Sequence, residues 1–358
     1  MILKQVSLQN FRGYEKAEFS FDSGVNIVCG DNGKGKTNLL ESIWVMTGVR
    51  SWRAMRKSEL ISWDKEKAHV SAAVDTRGRE YMLSLEMPAA GRSQAQINGI
   101  RRKRQLELSE CLRCVLFSPD DLQLVKGAAG GRREFLDSAI SQMRPHYGEL
   151  IARYEKLLES KSRLLKQEEP RPSAELLAVY DLQLAEIGAA VIGYRARFCR
   201  GLAEESGKTH AAISGGKENL TLEYHTVSTV SDPFAPTEVI RDQLLEHLES
   251  HRTAELQSGS CLSGVHKDDF ELSVNGRSAR AYASQGQTRS AALALKFGQR
   301  ELYFRDSGEY PVLLLDDVLS ELDAPRQAFV AGHAMGGQSI ITCCEERQEF
   351  QKANLILL

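Results

Sequence analysis

The sequence has almost no charge imbalance: 46 Lys and Arg stand against 48 Asp and Glu, a net of −2. Bulk charge therefore cannot draw it to nucleic acid, and any such contact has to come from a local basic patch. No apolar run of transmembrane length is visible. The first residues, Met1-Ile2-Leu3-Lys4-Gln5, begin a strand pattern and not a secretory leader. Internal repeats and low-complexity tails are missing too. The seven cysteines are an odd count for a disulfide framework. Cys29, Cys199, Cys343 and Cys344 lie in apolar or helical sequence. Cys111 and Cys114 form a lone C-x-x-C without a second pair or a His pair at zinc spacing, so buried free thiols are expected there. What remains is an ordinary soluble globular composition, 42% hydrophobic and 26% charged, in a chain of 358 residues. That length suits two domains, or one with a large insertion; a cytoplasmic location and no membrane partner are expected.

Against that plain background, Gly30-Asp31-Asn32-Gly33-Lys34-Gly35-Lys36-Thr37 matches G-x-x-x-x-G-K-[ST] at every position. The apolar run Val25-Asn26-Ile27-Val28-Cys29 before it reads as a buried strand, and Asn38 to Trp44 after it has helical spacing. Glycines at these positions let successive backbone N–H groups converge on phosphate oxygens at a helix N-terminus, whose dipole favours anions. Lys36 would reach the β- and γ-phosphates of ATP. Thr37 would give a hydroxyl to Mg²⁺, which keeps few protein ligands.

Three stretches follow one another. From Ile2 to about Ser118 the pattern is strands and hairpins, with Asn98-Gly99 as a turn signal. From about Gly131 to Lys208 it is helical, with apolar residues three and four apart over Arg132 to Lys166, a division at Pro145, a polar turn over 167–173, and a second helix over Leu176 to Leu202. This predicts a helical hairpin. Strands return from Asn219, around Asn275-Gly276. The simplest architecture is a P-loop sheet, interrupted by a helical arm and completed by the C-terminal third.

That third supplies acids. Pro311-Val312-Leu313-Leu314-Leu315-Asp316-Asp317 is a continuous apolar strand ending in two carboxylates, as a buried parallel strand presenting acids at its C-terminal edge would be. Asp316 is the expected Mg²⁺ ligand and Asp317 the expected base that polarises the attacking water. Ser284-Gln285-Gly286-Gln287 opens a helix, Thr288 to Arg300, and again offers backbone N–H groups to an anion. Ser320-Glu321-Leu322-Asp323 follows the acids.

P-loop, S-x-G-Q, LLLDD and SELD, in this order, resemble the ATPases of the ABC superfamily, in which two molecules sandwich ATP between the P-loop of one and the signature motif of the other. The long interval from Thr37 to Ser284 is similar to the branch that holds SMC proteins and the RecF family. Leu8-Gln9-Asn10-Phe11-Arg12, Phe117-Ser118-Pro119-Asp120-Asp121-Leu122 with Val125-Lys126-Gly127, Arg132-Arg133-Glu134-Phe135-Leu136-Asp137, Gly264-Val265-His266-Lys267-Asp268-Asp269 and the helix from Ala283 to Phe297 resemble RecF-family motifs over nearly the whole chain. Val265 and Lys267 depart from that family's usual Pro and Arg.

The resemblance implies an α/β fold: an ABC-type P-loop ATPase domain, a mixed sheet with flanking helices, over 1–118 and 213–358, with an inserted helical arm over 119–212. It implies an ATP-dependent DNA-binding protein of bacterial recombinational repair. Such a protein dimerises on ATP, clamps DNA at single-strand to double-strand junctions, and works with RecR and RecO to promote RecA loading, with slow, DNA-stimulated hydrolysis as the release step. Residue by residue, Gly30 to Thr37 and Asn38 would hold ATP, Arg12 would contact phosphate, and Thr37 and Asp316 would hold Mg²⁺. Asp317, Lys36 and Gln287 would serve hydrolysis, and Ser284, Gly286 and Gln287 would cap the partner's nucleotide. Asp317 stands where a Glu is usual, and Thr342-Cys343 stand where a switch histidine is usual. Gln123, Asp120 and Asp121 all compete for the Q-loop role.

DNA contacts are expected from two basic patches: Arg50, Arg53, Arg56 and Lys57 with Trp52, and Arg101-Arg102-Lys103-Arg104. The nucleotide-binding subunit of a membrane transporter shares the P-loop, signature and acidic strand, and DNA-stimulated hydrolysis separates the two readings. A P-loop kinase leaves SQGQ and SELD unexplained.

Overall fold

The computed structural model describes residues 1–167, 169, 172–344 and 353–358. Its contacts group into two compact units, one of residues 1–122, 205–218 and 284–358, the other of 123–204 and 219–283.

The first unit contains two sheets. A six-stranded antiparallel sheet, in the order β2-β1-β4-β5-β6-β7, is built from β1 (Ile2–Phe11), β2 (Tyr14–Ser20), β4 (Lys67–Thr76), β5 (Arg79–Pro88), β6 (Gln94–Ile97) and β7 (Ile100–Arg101). Strict alternation buries Ala68, Val70, Ala72 and Val74 of β4 on one face. At the expected Asn98-Gly99 turn both residues have positive φ, 51° and 75°, the backbone of a two-residue hairpin loop.

The second sheet runs β14-β3-β13-β12-β8, with every pair parallel: β3 (Val25–Cys29), β8 (Cys114–Phe117), β12 (Val312–Asp316), β13 (Ser339–Cys343) and β14 (Asn354–Leu357). Strands β8, β12 and β13 are buried at every position, which explains their unbroken apolar runs. Helix α1 (Lys36–Val45) packs on β12 and β13. Leu39, Leu40 and Ile43 of α1, Val6 and Leu8 of β1, and Leu314 of β12 share one core. The last helices of this unit are α8 (Gln285–Ser307) and α9 (Ala324–Ala334).

The second unit holds α2 (Gln123–Lys126), α3 (Ala129–Met143), α4 (Pro145–Leu165), most of α5 (Ala174–Ser214), α6 (Thr237–Ser258) and α7 (Ala279–Tyr282). Pro145 divides the first helical stretch by occupying the first turn of α4, where its missing N–H costs nothing. Of the expected polar turn, Glu168, Pro170 and Arg171 lie outside the described residues.

Helix α5 runs on to Ser214, where Gly215 and Gly216, with φ of 62° and 75°, stop it. Its 41 residues include a window of mean hydropathy 1.5, long and apolar enough by composition to cross a membrane, so the expectation of no such run was too strict. The window is 56% buried inside the fold, through residues such as Leu184, Ile187, Val191 and Ile192.

The strands expected from Asn219 onward do not join the P-loop sheet. β9 (Leu220–His225), β10 (Asp269–Val274) and β11 (Arg277–Ser278) pair antiparallel in a separate three-stranded sheet. Asn275 and Gly276 form its tight turn at φ 51° and 74°. All three strands lie in 219–283, the segment that groups with 123–204 in the second unit.

Arginines tie this unit's motifs together. Arg132 grips Asp269 through two hydrogen bonds of 2.6 and 2.7 Å, Arg133 donates to the Asp268 carbonyl at 2.8 Å, and Arg195 bridges Asp137 and Asp268 at 2.9 and 2.8 Å. The RREFLD and GVHKDD segments are thus two sides of one buried ion-pair network.

Candidate nucleotide site

Parallel strands end together, and the site is built on that edge. Register places Asp316 of β12 beside Thr342 of β13, and Cys343 of β13 beside Cys29 at the end of β3. The P-loop follows β3 and turns into α1. Gly33 and Gly35 have φ of 84° and 102°, left-handed values that suit glycine. At Gly35 a Cβ would stand 2.8 Å from the Tyr14 hydroxyl, so the side chain is excluded on two grounds.

Lys36 folds back over the loop, its Nζ 3.0 Å from the Asp31 carbonyl and 2.5 Å from that of Gly30. Thr37 donates its hydroxyl to Asp316 Oδ1 at 3.0 Å, joining the start of α1 to the end of β12. Thr342 donates to the same oxygen at 3.0 Å and accepts the backbone N–H of Asp317 at 2.9 Å. Burial raises the Asp316 carboxyl above its ordinary range, against the hydroxyls of Thr342 and Thr37 and the nearby charge of Arg53. A divalent cation at this carboxylate would favour its charged form, so Thr37 and Asp316 fit the metal expected of them. Asp317 is exposed and holds φ 51°, a left-handed backbone unusual for a non-glycine residue.

Arg12 lies near the loop, but its guanidinium is taken by Glu41 of α1, with both bonds at 2.8 Å. Glu41 is fully buried and accepts the Ser51 hydroxyl as well. Arg53, expected on DNA, sits at this site too: its Nη1 is 3.3 Å from Asn38 Oδ1 and 3.7 Å from Glu41. Arg50 and Arg56 are exposed and Lys57 half-buried, beside Met55 and Trp63, which are 95% and 93% exposed. In the second patch Arg101, Lys103 and Arg104 are exposed and Arg102 half-buried.

The signature segment is a helix cap. Ser284 Oγ accepts the Gln287 N–H at 3.2 Å while Gln287 Oε1 accepts the Ser284 N–H at 2.9 Å, a reciprocal capping box. Gln287 Nε2 goes on to Glu218 at 2.9 Å. Arg326 of α9 donates to the Gly286 carbonyl at 2.8 Å and pairs with Asp323, which links SQGQ to SELD. Asp121 accepts the Ser118 N–H at 2.8 Å and pairs with Lys296 of α8 at 2.7 Å, so its carboxylate serves the fold.

Sequence reading missed Thr342 as the residue that aligns both acids, Glu41 as the partner of Arg12, and Arg326 as the signature link. Cys344 is exposed, with its Sγ 3.7 Å from Lys36 Nζ and 3.2 Å from Asn32 Oδ1. Cys111 and Cys114 are buried, and burial pushes the Cys111 thiol up to about 11.

Several known proteins are similar to this chain in sequence or in fold. The sequence profile of the RecF/RecN/SMC N terminal domain matches residues 2–356. DNA replication and repair protein RecF of Bacillus subtilis (strain 168) is 38% identical over 340 residues, 94% of this chain and 91% of its own. That of Symbiobacterium thermophilum is 40% identical over 346 residues, 96% and 92% of the two chains. A solved structure described as the recombination mediator protein RecF-ATPrS in the RecFOR pathway superposes with a TM-score of 0.91 at 32% identity, covering 100% of this chain and 96% of the other. The Smc head bound to the C-winged helix domain of ScpA matches at TM-score 0.55 and 18% identity over 100% and 94% of the chains, a likeness of fold alone. The chain belongs to the RecF family of DNA replication and repair proteins, on an ABC-type ATPase fold.

Proposed function

We propose that this chain is an ATP-dependent DNA-binding protein of recombinational repair, in which ATP joins two copies around DNA. The observation that carries the reading is the Thr37–Asp316 contact of 3.0 Å, which brings the end of the P-loop and the acid of β12 to one point. Gly30 to Thr37 and Asn38 would cradle the phosphates, Lys36 would release its loop carbonyls for phosphate oxygens, and Thr37 with Asp316 would hold Mg²⁺. Bound there, the ion would neutralise phosphate charge. Asp317 would orient water, with Thr342 fixing its backbone. RecF structures with ATP and with ATPrS are known relatives, at TM-scores of 0.89 and 0.91.

Ser284, Gly286 and Gln287 would act on the nucleotide of the other copy, because their present bonds lead to Glu218 and Arg326. Arg12 and Arg53 would meet phosphate at the edge of the site, while Arg50, Arg56, Lys57 and Arg101 to Arg104 would supply the salt-dependent DNA contacts. Junction preference, RecR and RecO as partners, RecA loading, the inserted helical arm and slow turnover complete the reading.

Hydrolysis stimulated by gapped DNA supports it; hydrolysis indifferent to DNA favours a transporter-type ATPase and removes the DNA role. Ser284→Arg should keep ATP affinity within about threefold, since the signature acts on the other copy's nucleotide, yet abolish ATP-dependent dimers. Sedimentation that finds a normal dimer in this variant contradicts the sandwich.

A further inference from the structure

The contact of 2.9 Å between Gln287 Nε2 and Glu218 orders more of the signature segment than the two side chains that make it. A glutamine amide carries an acceptor and a donor that trade places when the group turns over. A carboxylate accepts only donors, so beside Glu218 the Nε2 has to face it and Oε1 has to face away. Oε1 then accepts the Ser284 N–H at 2.9 Å, while the Ser284 hydroxyl accepts the Gln287 N–H at 3.2 Å. Glu218 thereby decides which half of the amide closes the cap of α8.

Glu218 is itself held from two sides. It follows the end of α5, where the Ser214 hydroxyl accepts its backbone N–H at 3.2 Å. Its second oxygen lies 3.0 Å from Nε2 of His210, one turn before Ser214 and fully buried. A ring nitrogen facing a carboxylate has to donate, so Nε2 carries a proton. Nδ1 of the same ring has no hydrogen-bond partner among the described residues, and a proton placed there would be buried unpaired. Further back on α5, Glu205 pairs with Arg305 at 2.7 Å, near the other end of α8. The last turns of α5 thus hold α8 by a carboxylate near each end, and residues 205–218 and 284–358 share the first unit.

Every bond from the core outward has one direction: His210 donates to Glu218, Gln287 donates to Glu218, and Ser284 donates to Gln287. A polar chain satisfied in this way specifies a single arrangement. From these observations we infer that Glu218, backed by His210, is a positioning residue for the signature segment. It sets the Gln287 amide, and with it the loop that Ser284, Gly286 and Gln287 offer to the nucleotide of the other copy. The inference rests on the ATP sandwich proposed for this chain; Glu218 acts there through Gln287 and not on the nucleotide.

Glu218→Gln keeps size and shape but turns one acceptor into a donor. The new NH₂ meets either the His210 N–H or the Gln287 NH₂. Relief then requires a buried proton on His210 Nδ1, or a turned Gln287 whose NH₂ meets the Ser284 N–H. Packing alone predicts no effect from this change. Glu218→Ala removes the acceptor without adding a donor.

In both variants the ATP affinity of the single chain, read with a fluorescent ATP analogue, should stay within about threefold, because the P-loop is untouched. The ATP concentration that gives half-maximal dimer in sedimentation with Mg²⁺ should rise about 10-fold or more, through loss of a charge-assisted bond. A midpoint that either variant leaves unchanged overturns the inference and leaves the sandwich standing. A matching fall in ATP affinity assigns Glu218 to the fold at large and overturns it too. An unmodified chain that stays monomeric with ATP removes the sandwich, and the inference with it.

Discussion

Lys36→Ala is expected to weaken ATP binding by about 100-fold or more, the loss of a charge-assisted contact worth roughly 3 kcal/mol. Lys36 is a buried ammonium held by the carbonyls of Gly30 and Asp31, on a loop whose glycines adopt φ values of 84° and 102°. Removing it takes away the cation that phosphate needs and the clamp that shapes the loop, so both binding and loop order suffer. Everything that depends on nucleotide should fail with it. Equilibrium titration with a fluorescent ATP analogue checks this, and an affinity within threefold of the unmodified chain contradicts it.

The second large effect is on stability. Lys161 of α4 lies between Asp181 of α5 and Glu255 of α6, all three fully buried, with Asp181 at 2.6 Å. Arg252 adds a bond of 2.9 Å to Asp181, and the Leu262 N–H adds one of 2.7 Å to Glu255. These carboxylates raise the Lys161 ammonium above its ordinary value although burial alone would lower it.

Lys161→Met leaves two buried carboxylates short of a cation and should cost about 3–5 kcal/mol. The sign of its pH dependence follows from linkage. Because the Lys161 ammonium is raised in the folded state, its contribution is fully present at neutral pH and is lost as pH rises through that raised value, so the deficit shrinks toward alkaline pH. Urea unfolding at neutral and at alkaline pH measures both effects. A deficit below about 1 kcal/mol at neutral pH, or one that grows toward alkaline pH, rules out this account of the triad.

What the sequence disclosed follows from how local each signal is. The P-loop announces itself because strand, glycines and helix lie within twenty residues and each has its own reason. The same holds for Asp316, at the end of an unbroken apolar run, and for the two Asn-Gly turns. β9 and β10 were legible as strands but not as a separate sheet, since alternation fixes a strand's faces and not its partner. Thr342 was noticed only as a missing histidine. Its role needs the register between β12 and β13, which joins residues 26 apart in the chain. Arg12 was expected to contact phosphate, but its carboxylate partner, Glu41, looked like any polar residue of an amphipathic helix.

The central claim is that one chain carries two separated halves of a nucleotide site, and it predicts assembly. Light scattering of the full chain, with and without ATP and then with gapped or fully duplex DNA, tests it most directly. The expected result is a monomer mass without ATP, a doubled mass with ATP and Mg²⁺, and a dimer held more firmly on gapped DNA than on duplex. A mass that ATP leaves unchanged, on either DNA or none, contradicts the account.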